Sequence, residues 1–110
     1  MSELSDKQCV PCEGGIDPLT QEAAHKLLKK LSAEWHLSDD AKSIQRKYQF
    51  KNFYRTMSFV NAVAHIANSE DHHPDLEIGF NYCRIKYTTH AISGLSENDF
   101  ICAAKIDLLN

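Results

Sequence analysis

From Thr20 onward the apolar residues fall at helical spacing. Ala24, Leu27, Leu28 and Leu31 share one face, Thr20 is placed to cap them, and the pattern predicts a helix that stops near Ser32. Period two follows. Trp35 and Leu37 alternate with His36 and Ser38, Asp39-Asp40-Ala41-Lys42 reads as a turn, and Ile44, Tyr48 and Phe50 alternate with Gln45, Lys47 and Gln49. This predicts a hairpin, with Arg46 interrupting the apolar face of its second strand. Asn52 then caps a long helix. Its stripe runs Phe53, Met57, Val60, Ala64, Ala67, widened by Phe59, Val63 and Ile66, so the helix is buried over a broad arc and ends around Asn68-Ser69.

After the polar cluster Glu70-Asp71-His72-His73-Pro74 the alternation returns. Leu76, Ile78 and Phe80 form one set and Cys83, Ile85, Tyr87 and Thr89 the other, with the parity slip of a hairpin turn near Phe80-Asn81. His90 closes that strand and residues 91–95 form a loop. Ser96-Glu97-Asn98-Asp99 matches the [ST]-x-x-[DE] capping pattern and opens a last helix through Phe100, Ala103, Ala104 and Leu108. The order α-β-β-α-β-β-α predicts a single α+β domain: a four-stranded antiparallel sheet with three helices on one face. Residues 1 to 18, punctuated by Pro11, Gly14, Gly15 and Pro18 and without periodicity, read as a flexible arm ahead of a domain spanning 19–110.

Composition narrows the classes. The chain has 110 residues, 43% apolar and 25% charged, with a net charge of −3. It is of one-domain size, lacks the basic footprint of a nucleic-acid binder, and has no apolar run near the ~20 residues of a membrane span. The acidic, polar start Met1-Ser2-Glu3-Leu4-Ser5-Asp6 does not resemble a secretion signal, so a cytoplasmic protein with reduced thiols is expected. Cys9 and Cys12 form one C-x-x-C between Gln8 and Glu13-Gly14-Gly15. That loop composition favours incidental thiols over a zinc or thioredoxin-type site.

There are six histidines. His25, His36 and His65 fall on surface or packing positions. His72-His73-Pro74 sits where a helix hands over to a strand, and Pro74 keeps His73 extended. The hairpin that follows brings His90 to the same end. Imidazoles titrate near neutrality, so two of them can act as acid and base in an elimination. Metal ligation is the rival reading, without any H-E-x-x-H spacing to support it. A polar turn bonded to its own backbone is the third. Asp99 stands at the N3 position of the capping box in every case.

The cluster Glu70-Asp71-His72-His73-Pro74-Asp75, then Phe80, Thr88-Thr89-His90 and Gly94-Leu95-Ser96-Glu97-Asn98-Asp99, resembles the signature of the pterin-4a-carbinolamine dehydratases. Trp35 and Tyr48-Gln49-Phe50-Lys51-Asn52-Phe53 extend the resemblance, which covers roughly residues 18 to 109. It implies dehydration of 4a-hydroxytetrahydrobiopterin to the quinonoid dihydropterin in tetrahydrobiopterin recycling, with no metal and no cofactor. It carries His72, His73 and His90 over as the catalytic set, with Asp99, Pro74, Thr88 and Thr89 as substrate-binding or orienting residues. It also implies a homodimer or tetramer, and an aromatic amino acid hydroxylase as pathway partner. The alternative that the family brings is a non-catalytic protein-binding module, such as a transcription-factor dimerisation cofactor or an assembly factor. One position departs from the pattern: Asn68 stands where many members carry an acid.

Overall fold

The computed structural model describes residues 4–10 and 16–109; Cys12 lies outside them. Helices α1 (Gln21–Leu28), α2 (Phe53–Glu70) and α3 (Glu97–Asp107) alternate with strand pairs β1 (His36–Leu37) with β2 (Ile44–Gln49), and β3 (Asp75–Ile78) with β4 (Tyr82–Tyr87). The four strands make one antiparallel sheet in the order β1-β2-β4-β3. Helix α2 carries the chain from β2 to the far edge strand β3, and β4 returns between them. None of the described helices is long and apolar enough to cross a membrane.

Each helix begins where the sequence supplies an acceptor for its first free amides. Thr20 Oγ1 accepts from the Ala23 amide at 3.1 Å, and Asn52 Oδ1 accepts from the Arg55 amide at 2.9 Å. Ser96 and Asp99 form the capping box of α3. The alternation of the strands sorts the sheet into two faces. Ile44 pairs with Tyr87, Arg46 with Ile85 and Tyr48 with Cys83, and these side chains face the helices. Gln45, Lys47, Gln49 and Lys86 face the open side. Arg46 is tolerated among them because its guanidinium lies 4.1 Å from the Tyr48 ring centroid and donates to Asp107 at 2.8 Å. Asp107 also accepts from Trp35 Nε1 at 2.7 Å and from the Ser32 amide at 2.9 Å. One carboxylate thus joins the end of α3 to β2 and to the loop after α1.

Several boundaries differ from the periodicity. Helix α1 ends at Leu28, and tighter i→i+3 bonds (Lys30 to Leu27, Leu31 to Leu28) carry Leu31 into the core, because the Ser32 amide turns away to Asp107. The buried face of α2 is Thr56, Phe59, Val60, Val63 and Ala67, rotated from the stripe through Phe53 and Ala64. Thr56 can occupy that face because its hydroxyl donates to the Asn52 and Phe80 carbonyls. Phe53 is exposed and stacks on exposed Phe80, since β3 ends at Ile78 before the alternation reaches residue 80. His90 opens a 3-10 turn, His90–Ile92, rather than closing β4; Thr89 still pairs with Gly94.

Residues 4–10, expected as part of a flexible arm, pack on α3 in the described portion. Leu4 is buried in the main core, Lys105 Nζ donates to the Ser5 carbonyl at 3.1 Å, and Lys7 pairs with Glu97 at 2.8 Å.

Candidate active site

The site begins with the way α2 stops. Asp71 takes a left-handed conformation (φ 52°), and the His72 amide reaches back to the Ala67 carbonyl at 3.1 Å. Aspartate tolerates this conformation better than bulkier residues do. The turn releases the chain from the helix axis just before the two histidines. Pro74 then directs it into β3, as its fixed φ requires.

His72 lies over α3. Its ring stacks on Tyr87 with centroids 5.5 Å apart, and its Nε2 is 2.6 Å from Asp99 Oδ1. Asp99 is fully buried. Its second oxygen accepts from Thr89 Oγ1 at 2.7 Å and from the Ser96 amide at 3.0 Å. Because the Thr89 proton is committed to the carboxylate, Ser96 Oγ donates to Thr89 Oγ1, 2.7 Å away. The carboxylate therefore caps α3 through one oxygen and orients His72 through the other. Burial opposes protonation of His72, but the hydrogen bond and charge of Asp99 outweigh it, and the ring titrates above its ordinary value.

His73 points elsewhere. Its Nε2 meets Asn68 Oδ1, one turn back on α2, at 3.0 Å. An amide oxygen only accepts, so Nε2 is the donor in this bond and Nδ1 is left outside it. His90 is exposed at the start of its 3-10 turn.

His72, His73, His90, Thr88 and Thr89 line one cleft of about 510 Å³, a volume suited to a small molecule. Pro74 shapes the loop without lining it, and Asp99 stands behind His72. Thr88 and Thr89 contribute walls rather than free hydroxyls: Thr88 donates to the Lys42 carbonyl at 2.6 Å and Thr89 to Asp99. Cys9, Val10, Glu70, Asp71, Ala91 and Asn98 complete the wall. Of these, periodicity gives no hint of Cys9 and Val10, because their placement depends on long-range bonds to Glu70 and Asn98. Among the described residues no three His, Cys, Asp or Glu side chains converge to hold a metal ion. The arrangement offers one imidazole held toward its charged form and, beside it, a second whose Nε2 alone is engaged, two groups of the type that give and take protons.

Residues 17–109 match the family model for pterin 4 alpha carbinolamine dehydratase. The chain belongs to the pterin-4a-carbinolamine dehydratase family. A Nitrosomonas eutropha relative, provisionally named for that dehydratase, is 59% identical over 107 residues, covering 97% of this chain and 93% of its own. One from Legionella pneumophila, named in the same way, is 56% identical over 108 residues, covering 98% and 96%. Among solved structures, a transcriptional coactivator/pterin dehydratase from Brucella melitensis superposes with a TM-score of 0.78 at 28% identity, over 84% of this chain and 97% of that one. A pterin dehydratase-like protein identified as a RuBisCO assembly factor shares the fold alone, with a TM-score of 0.61 at 20% identity over 71% and 90%. In this pterin-4a-carbinolamine dehydratase family member, Asn68, the residue that departs from the family pattern, holds His73 by an uncharged bond. The bond engages Nε2 as donor without adding charge to the ring's surroundings.

Proposed function

We propose that the protein is a cytoplasmic enzyme that removes water from a 4a-hydroxytetrahydropterin, such as 4a-hydroxytetrahydrobiopterin, to give the quinonoid dihydropterin. The observation that carries this reading is the His72–Asp99 pair beside His73, on the wall of a cleft that His90 also lines. His72, kept protonated by Asp99, gives its proton to the 4a-hydroxyl. The C4a–O bond breaks and water leaves. His73 Nδ1 takes the N5 proton, and the N5 electron pair becomes the C4a=N5 double bond. A proton returns from His73 to His72 through solvent. His90 helps to hold the ring from its own wall, and Thr89 acts through Asp99 as a positioning residue. Each proton transfer is worth roughly 10²- to 10⁴-fold in rate. The substrate would come from an aromatic amino acid hydroxylase. The open edge of β3 and exposed Ile78 and Phe80 support assembly into a homodimer or tetramer.

The test follows the absorbance of freshly generated 4a-hydroxytetrahydropterin with wild type, His72→Gln and His73→Gln. Decay well above the buffer rate, largely lost in both variants while they stay folded, supports the reading. Wild-type decay at the buffer rate refutes it. A second reading, a protein-binding module, draws on the coactivator description of the Brucella protein and on the exposed aromatics Phe53, Tyr54 and Phe80. It predicts a partner complex that survives loss of both histidines but not Phe53→Ser with Phe80→Ser.

A further inference from the structure

The N-terminal segment reaches the cleft by bonds that the dehydration chemistry does not use. The Cys9 amide donates to Glu70 Oε1 at 2.8 Å, the Val10 amide donates to Asn98 Oδ1 at 3.1 Å, and Asn98 Nδ2 donates back to the Val10 carbonyl at 2.6 Å. These three bonds bring Cys9 Sγ to 3.6 Å from Cys102 Sγ on α3, across a sequence separation of 93 residues. Cys9 is partly exposed on the cleft wall, whereas Cys102 is fully buried behind it. We propose that Cys9 and Cys102 are a redox modification site, a thiol pair that a hydroperoxide converts to a disulfide fastening the N-terminal segment to α3 beside the cleft.

The geometry favours this pair. A disulfide needs sulfurs ~2.05 Å apart, so they must close by about 1.6 Å. Cys9 lies on a stretch without helix or strand bonds and can supply that movement. The two sulfurs lie within S–H···S hydrogen-bond distance, and either thiol can donate. That bond holds Cys102 below the ordinary thiol value against its burial, and pushes Cys9 up. The attacking species is the thiolate, and Cys9 is the member of the pair that a peroxide can reach from the cleft. In the reaction Cys9 loses its proton to solvent and its Sγ attacks one peroxide oxygen. The O–O bond breaks, hydroxide leaves and takes up a proton as water, and Cys9 becomes a sulfenic acid. Cys102 then loses its proton and attacks the Cys9 sulfur; the S–S bond forms and the second oxygen leaves as water. Two thiols are oxidised by two electrons and one peroxide is reduced to two waters.

The full chain would be treated with stoichiometric hydrogen peroxide, alkylated, and mapped by mass spectrometry without reduction. The expected result is a Cys9–Cys102 linked peptide pair lighter by two hydrogens, reversed by dithiothreitol, retained in Cys12→Ser and absent in Cys9→Ser. A Cys9–Cys12 link, singly oxidised cysteines with no cross-link, or no reaction would overturn the proposal.

Discussion

Replacing Asp99 by asparagine separates the two tasks of that side chain. The carboxylate accepts three hydrogen bonds, from His72 Nε2, Thr89 Oγ1 and the Ser96 amide, with no exposure to water. An amide of the same shape can keep its oxygen on Thr89 and Ser96, so α3 stays capped. It then presents N–H to His72, and the ring must accept where it formerly donated. Losing one charge-assisted bond in a buried site costs about 1.5–3 kcal/mol, against a total stability of roughly 5–15 kcal/mol for a domain. The variant should therefore fold, with a thermal midpoint lower by roughly 10 °C. Without the Asp99 charge the largest influence left on His72 is burial, which opposes protonation, and its titration moves downward from its raised position. The proposed acid then holds its proton less well at neutral pH, and kcat should fall by roughly 10²- to 10⁴-fold. Stopped-flow rates across pH would show the alkaline limb displaced toward acid, and an NMR titration of the His72 ring would show the same displacement. A folded Asp99→Asn protein with wild-type kcat and an unmoved alkaline limb would refute the role given to the pair.

Three further outcomes follow from the same contacts. Asn68→Asp places a carboxylate on His73 Nε2, so the acid limb of the pH–rate profile should move upward relative to wild type, with little change in the melting temperature. The raised titration of His72 stabilises the fold fully below its ordinary value of 6.5, and this is lost as pH rises through the higher folded value. Calorimetry should therefore find the gap between wild-type and Asp99→Asn melting temperatures wider at mildly acidic than at alkaline pH. Asp107→Ala strands the Trp35 indole N–H, the Ser32 amide and Arg46; denaturant titration should show a loss of about 3–5 kcal/mol, as for other broken buried pairs.

The elements that are local in origin were legible in the sequence. Thr20, Asn52 and Ser96 cap their helices, and the switch from period 3.6 to period two marks β2, β3 and β4, because caps and pleats act within a few residues. The gathering of His72, His73 and His90 was legible too, since a hairpin must return its strand to the end where it began. Contacts set by packing between elements were not. The rotation of α2 that buries Thr56 depends on the Phe80 carbonyl, and the packing of Leu4 depends on the surface of α3. Asn68 was noticed only as a departure from a pattern; its bond to His73 follows from the left-handed turn at Asp71, which sends the second histidine back toward α2.

The central claim is that paired histidines, without a metal, carry the dehydration. Its most direct test is a single-turnover stopped-flow measurement with freshly generated 4a-hydroxytetrahydropterin, EDTA present, comparing wild type with His73→Ala. Decay far above the buffer rate for wild type, unchanged by EDTA and reduced at least about a hundredfold in the variant, is the predicted result. Equal decay in the two proteins, or activity abolished by EDTA, would contradict it.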